Sequence, residues 1–157
     1  MTRLLFIGLG AGLALVSAGC PGTGGNGGDG VVDGSEFEAR LDGEQEVPAV
    51  DTDASGVGGL TLSEDETEIT YLFTASGLSG PVTGAHFHLG APGVDGDIVI
   101  DLSADVSQAD DEVVIEGGAA ADAAFVTALR AGDIYVNIHT DLNPGGEIRG
   151  QLEEAAE

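Results

Sequence analysis

Lysine and tryptophan are missing from this chain of 157 residues, and cysteine and methionine occur once each. The single cysteine, Cys20, stands ahead of the β-rich part of the chain. An intradomain disulfide and a cysteine metal site are therefore excluded there. Aromatic residues make up only 4% of the chain, so its core must rest on Val, Ile, Leu and Ala with five Phe and two Tyr, a mixture suited to β-branched packing. Positive charge is scarce as well: four basic residues, all Arg, face 28 acidic ones, for a formal net charge of −24. Such a surface repels phosphate backbones and anionic headgroups, which excludes nucleic acid and electrostatic docking on a membrane. It suits cations, basic partners or a saline medium, where carboxylates stay hydrated and screened. No nucleophile elbow, no phosphate-cradling glycine loop and no cysteine beside a histidine is readable, so the chain is taken as non-enzymatic.

What is present begins with an export signal. Residues 1–19 hold Arg3, an apolar run over 4–16 and then small residues. That run is too short for a membrane span, which needs about 20 residues, and matches a secretory leader. Ser17-Ala18-Gly19-Cys20 resembles the lipobox at which bacterial or archaeal lipoproteins are lipidated on Cys, although Ser17 stands where a larger aliphatic residue is usual. Cys20 is thus the expected membrane anchor. Pro21 follows it in place of the Asp that retains lipoproteins at an inner membrane, which points to an outer membrane or cell surface. Residues 20–34 form a glycine-rich tether, a random coil reaching roughly 20 Å.

From residue 35 onward, short β-rich stretches are punctuated by Gly, Asp, Asn and Pro, as in a β-sandwich. The expected strands are 36–41, 55–62, 68–75, 83–89, 97–102, 112–115, 133–139 and 147–152, with one short helix over 119–130. The domain is bounded at 35–153, and 154–157 is set apart as an acidic tail. Asn143-Pro144-Gly145-Gly146 predicts a sharp turn between the last two strands. Pairing His139 with Glu147 then puts Ile138 opposite Ile148, Val136 opposite Gly150 and Ile134 opposite Leu152, which builds one apolar face. The other face carries Tyr135, Asn137 and His139 against Gln151, Arg149 and Glu147. Arg149 is expected to pair with Glu147 or to pack on Tyr135.

Four ordered motifs carry a family resemblance: Leu41-Asp42-Gly43-Glu44-Gln45-Glu46-Val47-Pro48-Ala49-Val50; Ala85-His86-Phe87-His88-Leu89-Gly90; Tyr135-Val136-Asn137-Ile138-His139-Thr140; and Pro144-Gly145-Gly146-Glu147-Ile148-Arg149-Gly150-Gln151-Leu152. In this order they resemble the CHRD domain, named from chordin, over about residues 36–152. The resemblance implies a single antiparallel Greek-key, immunoglobulin-like β-sandwich. It implies no settled activity, and the cysteine-rich modules that bind growth factors in chordin have no counterpart here.

All three histidines, His86, His88 and His139, lie in those motifs. His86 and His88 are two apart on one strand and so share a face, while Ala85, Phe87 and Leu89 take the other. With an imidazole from the neighbouring strand they would make a three-histidine site for one copper or zinc ion. Glu147 is the expected carboxylate behind His139. A plainer reading leaves His139 and Glu147 as a cross-strand pair and has His86 and His88 hydrogen-bonding loop backbone near Gly90 and Gly93. Three functions stay open: a monomeric, lipid-tethered binding module for an envelope protein or matrix polymer; a copper or zinc protein, with scope for weak redox activity; and a structural envelope component.

Overall fold

The computed structural model describes residues 34–156; the leader, Cys20 and nearly all of the tether lie outside the described residues. The order of elements is β1 (Gly34–Asp42), β2 (Ser55–Ser63), β3 (Glu68–Ser76), β4 (Val82–Leu89), β5 (Asp97–Asp101), a 3-10 turn (Ser103–Asp105), β6 (Val106–Ala109), β7 (Glu112–Ala120), α1 (Ala123–Arg130), β8 (Ile134–Thr140), β9 (Ile148–Gln151) and β10 (Glu153–Glu154). Period-two patterning explains the long strands. In β3, Ile69, Tyr71, Phe73 and Ala75 are buried while Glu68, Thr70, Leu72 and Thr74 face away from the core.

All pairings are antiparallel, and the sheet runs β5-β4-β8-β9-β1-β2-β3-β7-β6. It is continuous but curls, because β9 and β1 share a single register pair, Asp42 with Arg149. Two packed layers result, β5-β4-β8-β9 and β1-β2-β3-β7-β6. The order β2-β3-β7-β6 facing β5-β4-β8-β9 is that of an immunoglobulin-like Greek key. The Phe87 ring on β4 lies at the centre of the core, 5.5 Å from Tyr71 and 5.9 Å from Phe73 on the opposite layer and 6.2 Å from Phe125 of α1. Close approach of β2 to β3 requires Gly58: a Cβ there would lie 2.3 Å from the Leu72 carbonyl oxygen and 2.5 Å from Phe73.

Three expectations need correction. The helix starts at Ala123, four residues later than its alanines suggest, because Ala119 and Ala120 pair with Ile69 and Glu68 in the sheet. The Asp122 side chain then accepts from Phe125 N at 2.8 Å and fixes the new start. An unforeseen edge strand, β6, pairs with β7. Finally, Glu153 and Glu154 form β10 against Glu38 and Phe37, so the sheet enters the supposed acidic tail. The β8–β9 register is the expected one: Ile138 meets Ile148, Asn137 meets Arg149, Val136 meets Gly150 and Tyr135 meets Gln151.

Candidate metal centre

Strand parity places the histidines. In β4, Ala85 and Phe87 turn into the core, so His86 and His88 must turn outward. Leu89, expected on the core side, is instead 48% exposed at the strand end. On β8, Tyr135 pairs with His88, Asn137 with His86 and His139 with Gly84. His139 therefore joins the same outward face. Ligand-capable atoms of His86, His88 and His139 all lie within 4.8 Å of one another, a spread that metal–nitrogen bonds of about 2 Å span with slight contraction.

Hydrogen bonds fix where the imidazole protons lie. His88 Nδ1 lies 2.8 Å from the Gly96 carbonyl oxygen and His139 Nδ1 lies 3.1 Å from that of Pro144. A carbonyl only accepts, so both Nδ1 atoms carry protons and both Nε2 atoms present lone pairs. His86 Nδ1 lies 2.9 Å from His139 Nε2. Its own Nε2 is 3.8 Å from the exposed Asp101 carboxylate. With its proton on Nδ1, His139 accepts at Nε2 from His86 Nδ1, so an ion that takes both nitrogens must move the His86 proton to Nε2, which faces Asp101; His88 and His139 already have the backbone support that metal-ligating histidines use. Gly84 leaves the room this needs, since a Cβ there would lie 3.1 Å from His86 Cε1.

Around this cluster the polar face is covered rather than solvated. Arg149 is 2% exposed, with its guanidinium carbon 3.4 Å from the centre of the Tyr135 ring. It donates to the carbonyls of Val94 and Ala91 and to Gln151 Oε1. The His88 ring stacks on Tyr135 at 4.8 Å, nearly parallel. Of the two roles foreseen for Arg149, packing on Tyr135 is the one adopted.

Glu147 is corrected. Its carboxylate does not bond His139; it accepts from Thr52 Oγ1, Ser79 N, Ser79 Oγ and Thr140 Oγ1 at 2.5–2.9 Å. Strand β9 starts only at Ile148, after Gly146 at φ +123°, so ladder parity does not govern the Glu147 side chain. Burial alone would raise its pKa, but the Thr140, Ser79 and Thr52 donors bring it down to about 2. Glu147 is a buried strut that ties the 141–146 turn, and with it the Pro144 carbonyl, to two other loops. Glu46, from the first motif, was not foreseen as part of this face. Burial pushes its carboxyl up to about 7, against the opposing charge of Arg149.

Burial, chiefly, holds the pKa values of His86 and His139 below the ordinary range, with like charge between the imidazoles acting the same way on His139. Asp101 opposes the shift at His86, and the Pro144 carbonyl opposes it at His139. Neutral imidazoles are the ligand form. As pH falls through about 6.5, the unfolded chain protonates before the folded one, so these two groups cost stability below that pH. Glu46, whose raised carboxyl favours the folded chain as pH falls from about 7.5 to about 5.5, pulls the other way. The histidines are therefore read by difference: in the metal-free chain, His139→Gln is expected to raise the urea midpoint at about pH 5.5 relative to that at about pH 7.5.

A sequence model of one family, described as the CHRD domain, matches residues 37–152. No curated protein and no solved structure matches the chain.

Proposed function

The chain belongs to the CHRD domain family, which supports a binding or structural module, and from the histidine geometry we propose that the module is non-enzymatic and holds one transition-metal ion on His86, His88 and His139. The observation that carries this reading is the Nε2 atom of His88, buried with no partner and aimed from a ring whose other nitrogen is already bonded. A buried lone pair left unmet costs about 1–3 kcal/mol. An ion shared with His139 Nε2 and with His86 Nδ1, whose proton would move to His86 Nε2 facing Asp101, would remove that cost. Three neutral imidazoles suit copper and zinc, and intrinsic affinities rank copper first. The carboxylate-rich surface, at net charge −24, raises the local concentration of cations. In this reading the module is exported and lipid-anchored through Cys20, at an outer membrane or cell surface.

Purified chain exposed to Cu2+ or Zn2+ and then desalted is expected to retain about one equivalent by elemental analysis, with saturable heat in calorimetry. Protein that retains neither ion and gives no heat would sink the proposal. A second reading, a module for an envelope protein or matrix polymer, draws support from the exposed Leu89, Val94, Ile98 and Val99 on and beside edge strand β5. Binding of that kind would be indifferent to chelators.

A further inference from the structure

The three imidazoles are not braced alike. His88 and His139 each give an Nδ1 proton to a backbone carbonyl, that of Gly96 or Pro144. His86 gives its Nδ1 proton to His139 Nε2 at 2.9 Å, which leaves a lone pair on its own Nε2. That lone pair faces the Asp101 carboxylate at 3.8 Å. With the ring neutral, neither atom can donate, so the gap is that of two acceptors and is too long for a hydrogen bond. Asp101 nevertheless stands in the right place. It is the ladder partner of His86 on the neighbouring strand β5, so both side chains leave the same face of the sheet. Its Oδ1 accepts from Ser103 N at 2.9 Å, which limits where the carboxylate turns. Its side chain is 69% exposed, so no packing opposes a small movement.

Resting on the metal reading above, we propose that Asp101 is the positioning residue of this site: when His86 ligates through Nδ1, Asp101 closes on the proton now at Nε2 and holds the ring in its ligating tautomer. The Nδ1 proton leaves to water and another is taken from water at Nε2, so the imidazole stays neutral and the exchange releases no net proton. An approach of about 1 Å turns the 3.8 Å contact into a charge-assisted N–H···O bond of ordinary length. A carboxylate on the outer N–H raises the basicity of the ligating nitrogen and fixes the ring. That part was expected of Glu147, whose oxygens are committed to Thr52, Ser79 and Thr140. Asp97, also on β5, carries the same charge but pairs with Leu89, three residues along β4 from His86. It supplies the control that separates charge from contact.

Long-range proton–nitrogen NMR spectra of the full chain read the tautomer directly, and diamagnetic Zn2+ keeps the ring nitrogens visible. At about pH 7.5, above the ordinary imidazole pKa, His86 is expected to carry its proton on Nδ1 without metal and on Nε2 with Zn2+ bound. A loaded chain in which His86 keeps its Nδ1 proton overturns the inference and leaves metal binding standing. Asp101→Asn keeps an oxygen for Ser103 N, removes the charged acceptor and offers an amide donor that favours the metal-free tautomer. It is expected to weaken Zn2+ binding about 10-fold, the low end for partners that orient metal ligands, with the circular dichroism of the metal-free chain unchanged. Asp97→Asn is expected to change binding less than about threefold at about 0.15 M salt, where exposed charges are screened. Asp101→Glu restores a carboxylate and is expected to fall between the two. Equal losses in Asp101→Asn and Asp97→Asn, no loss in a folded Asp101→Asn chain, or Asp101→Glu binding no tighter than Asp101→Asn overturns the inference. A wild-type chain that takes up neither Zn2+ nor Cu2+ overturns the metal reading along with it.

Discussion

His88→Ala is expected to weaken Cu2+ or Zn2+ binding at least about 100-fold, because loss of the outer hydrogen bonds of a ligand alone costs 10–100-fold and here the ligand itself is removed. The ranking among the three histidines follows from their supports. His88 is 7% exposed, stacked on Tyr135 and fixed by Gly96. His139 is fixed by Pro144, whereas His86 has only the exposed Asp101 at 3.8 Å on its far side. The expected order of losses is His88, then His139, then His86. Competitive titration against a chelator of known affinity, alongside circular dichroism to confirm the fold, measures all three. A His88→Ala chain that binds within about threefold of the wild type would contradict the assignment, since a lost ligand cannot cost so little.

Phe87→Ala is expected to cost about 3–5 kcal/mol, the range for a truncated core aromatic. Phe87 is fully buried and meets Tyr71, Phe73 and Phe125, so its removal opens a void where both layers and the helix converge. Against a typical stability of 5–15 kcal/mol this is a large fraction. The residue also lies between His86 and His88 on one strand. Metal should then rescue the variant: an ion at 100 times its dissociation constant adds about 2.7 kcal/mol to the folded state. Urea unfolding with and without Zn2+ reads both effects. A Phe87→Ala chain as stable as the wild type would show that this ring does not anchor the core.

Much of this arrangement was legible in the chain itself. The pairing of β8 with β9 could be read because period two and the Asn143-Pro144-Gly145-Gly146 turn admit one register that keeps Ile134, Val136 and Ile138 together. The histidine face followed from parity alone. Other parts were hidden for physical reasons. Ala119 and Ala120 have helical propensity, but pairing with β3 overrides it. Strand β6 is a short edge whose Ser107, Gln108 and Ala109 are all exposed, so it lacks an alternating signature. Glu147 was misplaced because parity was carried one residue past the end of a strand. Glu46 sits in an irregular loop, where no period tells which side chains turn inward. The polar face of Tyr135, Asn137, Arg149 and Gln151 was read correctly as a face. Its burial depends on the loop over residues 90–96, and only the folded chain reveals that cover.

The oxygens that orient His88 and His139 belong to the backbone of Gly96 and Pro144. A substitution can erase a carboxylate, but every residue type brings the same carbonyl. The orientation of these two rings is therefore inherited with the path of the chain, and drift in the surrounding side chains leaves it intact as long as the two loops keep their course. Copies of this domain that have diverged widely elsewhere should still present the same two lone pairs wherever the two histidines themselves persist.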